Sequence, residues 1–366
     1  MDSRSWLLLE PDPPQHALPD DLRARDRFGG RDCGWVAQMR PFVRHFSRPG
    51  QCVFDPFCGF ATTLLAASLE GRESCGIEID AGRAALARER LQRHGIDAPI
   101  AVGSLPDTAI PRAIDLCLTN VPYFGCRWPG GEPDAATDRG QLYLQHDYAA
   151  YLQRLRDIFH AVRDALPADG FCIAMVENVV IDGRVLPLAW DLARILGSLF
   201  VAREERLLCY PRAAETRAPG DTRTDRSHEY ALVLQKSRET VCLASTAAEL
   251  QAIRAAGFDF ELFGSFAHWL QHGDAETARP PADADLLLPD DEVRFNQLLH
   301  WLHERHYELS LWGEPVRPPV RIDRLRAHWY LRAQRRDRLG RLVRLDLCLA
   351  TQIAAQSAST QPTLSA

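Results

Sequence analysis

Lysine is almost absent from this chain: Lys236 is the only one, and the rest of its 43 basic residues are arginine. We read that bias as genomic base composition, without bearing on function. No C-x-x-C pair occurs among the 10 cysteines. Neither a zinc site nor a disulfide framework is therefore indicated, and reduced thiols in a cytoplasmic protein are the simplest expectation. No apolar run is long enough to cross a bilayer, and Met1–Asp20 lacks the apolar core of a signal peptide. An excess of positive charge is missing as well. The net charge of −6 excludes a chain that binds polyanions along its whole length, so any nucleic-acid footprint must be local. No internal repeat is evident.

What is present is an ordinary globular composition, 46% hydrophobic and 25% charged over 366 residues, enough for two cores. Composition breaks near Ser237–Thr246. The expected organisation is an N-terminal tail over 1–28, an α/β domain over 29–237, and a linker with a helix over 238–257. A smaller α/β domain follows over 258–350, then a disordered tail over 351–366. The first tail is rich in Pro and Asp, the last in Ser, Thr, Gln and Ala.

In the first domain, Gln51–Phe54 reads as a short apolar strand that Asp55-Pro56-Phe57-Cys58-Gly59 breaks at once. Pro56 cannot continue a ladder, and Gly59 lets the backbone approach a ligand closely. Thr62 and Thr63 open an apolar helix whose N-terminal N–H groups face the crevice beyond the strand. The next strand, Ser74–Ile79, ends in Glu78 and Asp80. In open α/β sheets, ligands sit beyond the carboxyl ends of strands, and an acid one βα unit on binds ribose hydroxyls. Glu78 is the first choice for that acceptor and Asp80 the alternative. Cys58 reads as a small packing residue rather than a nucleophile.

A third strand, Ile114–Leu118, leads into Thr119-Asn120-Val121-Pro122-Tyr123. An exocyclic amine on a base is a poor nucleophile because its lone pair is delocalised into the ring. Acceptors that grip the amine hydrogens can aim that lone pair, and Asn120 (side-chain carbonyl) and Val121 (main-chain carbonyl) supply them. Tyr123, with Phe124 beside it, offers a face for stacking. Further on come a long amphipathic helix over Tyr148–Leu166, a buried strand over Phe171–Val176, a helix over Pro187–Leu199 and a strand within Arg226–Lys236.

The segment D-P-F-C-G-F-A-T-T closely resembles the D-P-F-x-G-x-G-T-T cofactor motif of DNA amino-methyltransferases, with Ala61 where that family usually has Gly. Val36–Phe46 resembles the helix that precedes the motif. N-V-P-Y resembles the family's [D/N/S]-P-P-[Y/F/W] motif, with Val121 in place of the first proline. R-S-H-E-Y resembles its closing strand, where His228 and Glu229 could orient the substrate loop or simply make structural hydrogen bonds. The resemblance covers about residues 30–237. It implies a Rossmann-like class I methyltransferase sheet and S-adenosyl-L-methionine as cofactor. Asp55, Pro56, Phe57, Gly59, Thr62, Glu78, Asp80 and Ser104 would bind that cofactor, and Asn120, Val121, Pro122 and Tyr123 would act on the amine. The implied reaction is methyl transfer to adenine N6 or cytosine N4 of DNA. The same chemistry on RNA or a free nucleotide, and a non-catalytic nucleic-acid-binding fold, remain as alternatives. Ala61 is expected to narrow the approach of the backbone to the ligand, and Val121 to leave its loop less pre-organised. No large recognition insert interrupts the domain. Only Cys126–Gln145 and the loop Tyr210–Ser227, with Arg212, Arg217, Arg223 and Arg226, could reach a large substrate or its phosphates.

In the second domain, Asp283 and Asp285 alternate in a strand and point to one face. With Asp346 on a neighbouring strand they could hold two magnesium ions for phosphoryl transfer. Gly264-Ser265 would face a triphosphate. The set resembles the G-S…D-x-D…D pattern of the nucleotidyltransferase fold, with an insertion near Gly273–Pro281. That likeness implies a nucleoside triphosphate as a further partner. The arginine-rich stretch Arg317–Arg344 could track a nucleic-acid backbone, cradle a triphosphate or remain a solvated sheet edge.

Overall fold

The computed structural model describes residues 3–125, 140–145, 147–211, 228–272, 281–326 and 328–350. They divide into two units, Met1–Ser237 and Arg238–Ala366. Arg212, Arg217, Arg223 and Arg226, most of Cys126–Gln145, residues 273–280 and the C-terminal 351–366 lie outside the described residues.

The first unit is built on an eight-stranded sheet. Its elements are β1 (Trp6–Leu8), α1 (Asp20–Arg25), α2 (Val36–Phe46), β2 (Cys52–Asp55), α3 (Thr62–Leu69), β3 (Glu73–Glu78), α4 (Ala81–Arg93) and β4 (Ile100–Val102). Then come β5 (Leu116–Asn120), α5 (Tyr148–Ala165), β6 (Phe171–Val176), β7 (Val179–Ile181), β8 (Arg184–Leu186), α6 (Leu188–Leu199), β9 (Val201–Cys209) and β10 (His228–Gln235). The strand order is β1-β9-β10-β6-β5-β2-β3-β4. Strands β2 to β6 run parallel, and β10 is antiparallel to both β6 and β9. Alternation along the strands divides the core between the two faces of the sheet. Val53, Leu116, Leu118, Ile173 and Met175 pack with α2, α3 and α4. Phe54, Cys117, Cys172 and Ala174 pack with α5 and α6.

Chain order reverses between β2 and β5: β3 and β4 extend the sheet to one side, β6 to the other. Such a reversal opens a crevice at the carboxyl ends of the strands. Asp55 ends β2 and Asn120 ends β5.

The segment expected as a free tail over 1–28 is instead part of this unit. Trp6–Leu8 pairs in parallel with Leu207–Cys209. Asp12 accepts from the N–H groups of Val36 (2.6 Å) and Ala37 (2.7 Å) at the start of α2, satisfying donors that a helix leaves open. Leu18 and Leu22 are buried against Phe60 and Leu86.

The second unit contains α7 (Leu243–Ala255), β11 (Glu261–Phe263), α8 (Gly264–His272), β12 (Ala284–Leu288), α9 (Glu292–Glu304) and β13 (Glu308–Leu311). It ends with β14 (Glu314–Pro315), α10 (Ile322–Arg326), β15 (Leu331–Arg336) and β16 (Leu342–Leu349). Its six-stranded sheet has the order β11-β12-β16-β15-β13-β14, with only the β12–β16 pair parallel. The 238–257 segment is not a linker here. Leu250 and Ile253 of α7 belong to the unit's buried core, because the helix covers one face of the sheet.

Candidate functional site

The crevice in the first unit is a cavity of about 370 Å³. Asp55, Pro56, Phe57, Gly59, Thr62, Glu78 and Ser104 line it, and so do Asn120, Val121, Pro122 and Tyr123. Asp80 does not. It caps α4, accepting from Arg83 N at 2.9 Å, and pairs with Arg27 at 3.1 Å. Helix capping thus accounts for the second acid of the Glu78–Asp80 pair, and Glu78 is the acid that reaches the cavity.

Asp55 is held by the Thr119 hydroxyl at 2.6 Å and by Phe57 N at 3.0 Å. Burial pushes its carboxyl up to about 6, against the pull of those hydrogen bonds. Glu78 accepts from Gly59 N through one oxygen and from Asp80 N through the other, each at 2.9 Å. Burial raises it as well. Gly59 is needed for its backbone, with φ at +50°. Arg83 also lines the cavity, but its guanidinium is engaged by Asp26 at 3.0 Å.

At the other end, Val121 donates its N–H to Met175 O at 3.0 Å, a ladder bond that proline could not make. Tyr151 donates to Pro122 O at 2.7 Å. Val121 therefore does not loosen the loop; the bond its N–H provides, with the Tyr151 contact, pins it. The Tyr123 hydroxyl is buried beside the Glu229 carboxylate. Burial, then the charge of Glu229, raises it well above the ordinary phenol range. Phe124 turns away from the cavity to pack edge-on against Tyr148, ring centroids 5.2 Å apart. Tyr123 is thus the aromatic face on offer from this segment.

The cavity is also lined by residues that the sequence did not single out: Trp35, Tyr210, Gln141 and Tyr143. Trp35 and Tyr210 meet edge-on at 5.2 Å. Glu229 lines the cavity too, accepts from Gln38 Nε2 at 2.5 Å and is raised first by burial. An aromatic so close to the resembling helix was a usable signal for Trp35; nothing local marks Tyr210 or Gln38.

Buried Arg90 supports the turn between β2 and α3 from behind. It donates to Phe60 O (2.9 Å), Thr62 Oγ1 (3.0 Å) and His16 O (2.6 Å).

Residues 36–89 match the DNA methylase family. That stretch runs from α2 through the Asp55 turn to α4. No curated protein matches the chain. Among solved structures, TrmN from Thermus thermophilus is similar at 20% identity over 58% of this chain and 53% of that one, with a TM-score of 0.37. The aligned part thus spans about half the length of TrmN. TehB from Haemophilus influenzae is similar at 13% identity over 55% of this chain and 61% of its own, TM-score 0.35. An rRNA methylase from Streptococcus thermophilus gives 13% identity over 56% and 97% respectively, TM-score 0.34. Among the described residues, no helix is long and apolar enough to cross a membrane.

In the second unit, carboxylate oxygens of Asp283, Asp285 and Asp346 lie within 4.8 Å of one another. Asp285 sits beside Asp346 in register. A Cβ built on Gly264, at φ +70°, would lie 2.1 Å from Asp285 Oδ2, so glycine is what allows that approach. Ser265 is exposed at the start of α8. The arginine-rich stretch Arg317–Arg344 is extensively paired within the unit. Arg326 meets Asp290, Arg335 meets Glu249 and Arg341 meets Asp337. It does not form an unpaired basic track.

Proposed function

We propose that this chain is an S-adenosyl-L-methionine-dependent methyltransferase acting on an exocyclic amino nitrogen of a DNA base, adenine N6 or cytosine N4. One observation carries the reading. The ends of three neighbouring parallel strands, at Asp55, Glu78 and Asn120–Tyr123, open into one cavity. The DNA methylase match over 36–89 supports the cofactor half and the choice of DNA.

The residues suit the cofactor. Asp55 and Glu78 are buried carboxylates hydrogen-bonded by neutral donors, a setting that favours a ligand bringing a cationic ammonium and ribose hydroxyls. When bound, that ligand supplies an electrophilic methyl group on a sulfonium. Asn120 Oδ1 and the Val121 carbonyl accept the amine hydrogens and aim the nitrogen's lone pair. Tyr123 holds the ring by stacking. The proton lost by the amine leaves after the methyl has arrived, so no strong base is needed beside Asn120. Positioning carries the rate enhancement.

The direct test is transfer of labelled methyl to DNA, RNA and free nucleosides, followed by mass spectrometry of the modified nucleosides. The expected products are N6-methyladenine or N4-methylcytosine in DNA. Label confined to RNA or to free nucleosides would keep the chemistry and move the substrate. No label in any of them, together with no cofactor binding, would end the proposal.

A further inference from the structure

A cation bound by Asp283, Asp285 and Asp346 would need in-plane lone pairs from all three and a coordination shell of oxygens. Arg332 stands in that place. Its Nε and Nη2 donate to Asp346 Oδ1 and Oδ2, both at 2.8 Å, a fork that takes both oxygens of that carboxylate. Nη2 also reaches Asp283 Oδ2 at 3.5 Å and Tyr330 Oη at 3.0 Å. Only 14% of the Arg332 side chain is exposed.

The backbone fixes this arrangement. Arg332 lies directly opposite Asp346 in the β15–β16 ladder, so the two side chains share one face of the sheet. Leu331 and Ala333 on either side of it are buried in the core on the other face. Arg332 cannot turn to that other face without a register slip, and it cannot lose its charge, because a guanidinium stays protonated in proteins. Two cationic centres would then compete for the same few oxygens.

We propose that Arg332 takes the part of the cation: the Asp283–Asp285–Asp346 cluster is a guanidinium-compensated ion cluster, and the second unit binds no divalent metal there. Magnesium-dependent nucleotidyl transfer, which the sequence pattern suggests, is then not an activity of this unit. The inference stands apart from the methyl-transfer reading, since it uses no residue of the first unit.

Manganese titration of the intact chelator-treated chain, followed by the electron paramagnetic resonance of free Mn2+, tests it. Wild type is expected to show no Mn2+ uptake that depends on these acids, so Asp285→Asn should leave the titration unchanged. Arg332→Gln removes the competing charge and should gain one Mn2+, bound at least about tenfold more tightly than any wild-type uptake. Arg332→Lys, which keeps a charge, should not. Wild-type uptake that disappears in Asp285→Asn would overturn the proposal whether or not the Arg332 variants fold. So would an Arg332→Gln chain that keeps its circular dichroism and thermal transition yet gains no Mn2+.

Discussion

Both units bring carboxylates together at their sheets, yet the company those carboxylates keep is opposite. In the first, Asp55 and Glu78 are held by a hydroxyl and by backbone N–H groups, and burial raises both. Arg83, the cation lining the same cavity, directs its hydrogen bonds to Asp26 and acts on Glu78 by charge alone, too weakly to offset burial. In the second, the Arg332 fork closes on Asp346 and extends to Asp283. Buried charge with only neutral partners is costly and favours a ligand that supplies hydrogen bonds or positive charge. Buried charge that is already matched is self-sufficient, and removing its partner is what costs. Buried carboxylates with neutral partners thus favour a ligand in one unit, while those of the other are matched from within.

The largest effect should come from the amine end of the cavity. Asn120→Ala removes the side-chain acceptor while leaving Asp55 and Glu78 in place. Methyl transfer should fall by about 10²–10³-fold, the loss typical of one preorganised polar group acting on the reacting atoms. Cofactor binding, measured with labelled cofactor at equilibrium, should be retained. Turnover near wild type would dissolve the contrast, because the cavity would then not be the place where the amine reacts.

The second prediction tests whether Asp55 is costly to the empty protein. Its carboxyl titrates at about 6 in the folded chain against an ordinary 3.8. The folded state therefore binds this proton more tightly than the unfolded one. The resulting stabilisation is full below about pH 4 and is lost as the pH rises through about 6, amounting to about 3 kcal/mol. Asp55→Asn removes the titration. Without cofactor, the variant should melt several degrees above wild type at pH 7.5 and close to it at pH 4, while its cofactor affinity drops by about 10- to 100-fold. Thermal melts across that range decide the matter. A variant no more stable than wild type at pH 7.5 would show that the Asp55 charge is already compensated, as the acids of the second unit are.

Much of the first unit was legible because its strands are apolar runs ended by strong punctuation. Phe171–Val176 is the strand expected, and the strands leading to Asp55, Glu78 and Asn120 were offset by only a residue or two. The N-terminal segment was not legible, for a physical reason. Strand β1 is a three-residue edge strand in which Trp6 and Leu8 are exposed. No buried run marks it, and its place is set by backbone pairing with β9, far along the chain. Arg332 was invisible in a different way. Among so many arginines it carries no signature, and only the β15–β16 register puts it opposite Asp346. Val121 read as a weakened motif because the proline it replaces is rigid; the N–H that proline lacks, and the bond it makes, appear only once β6 lies alongside.

Ala61 gives the smallest expected effect and the sharpest check on the shape of the cavity. The methyl group was expected to crowd the ligand. The structure places Ala61 as the N-cap of α3 in the left-handed region, φ 61° and ψ 33°, with its side chain in the core rather than in the cavity wall. A left-handed alanine costs about 1–2 kcal/mol, which glycine would relieve. Glycine would also give up a buried methyl, about 0.8 kcal/mol, and add about 0.4–1 kcal/mol of unfolded-chain entropy. These terms nearly cancel, so Ala61→Gly should change stability by less than about 1 kcal/mol. Cofactor affinity should stay within about twofold, since no lining atom changes. A tenfold gain in affinity would mean that the methyl does intrude on the ligand, and that the turn between Asp55 and α3 sits differently once the cavity is filled.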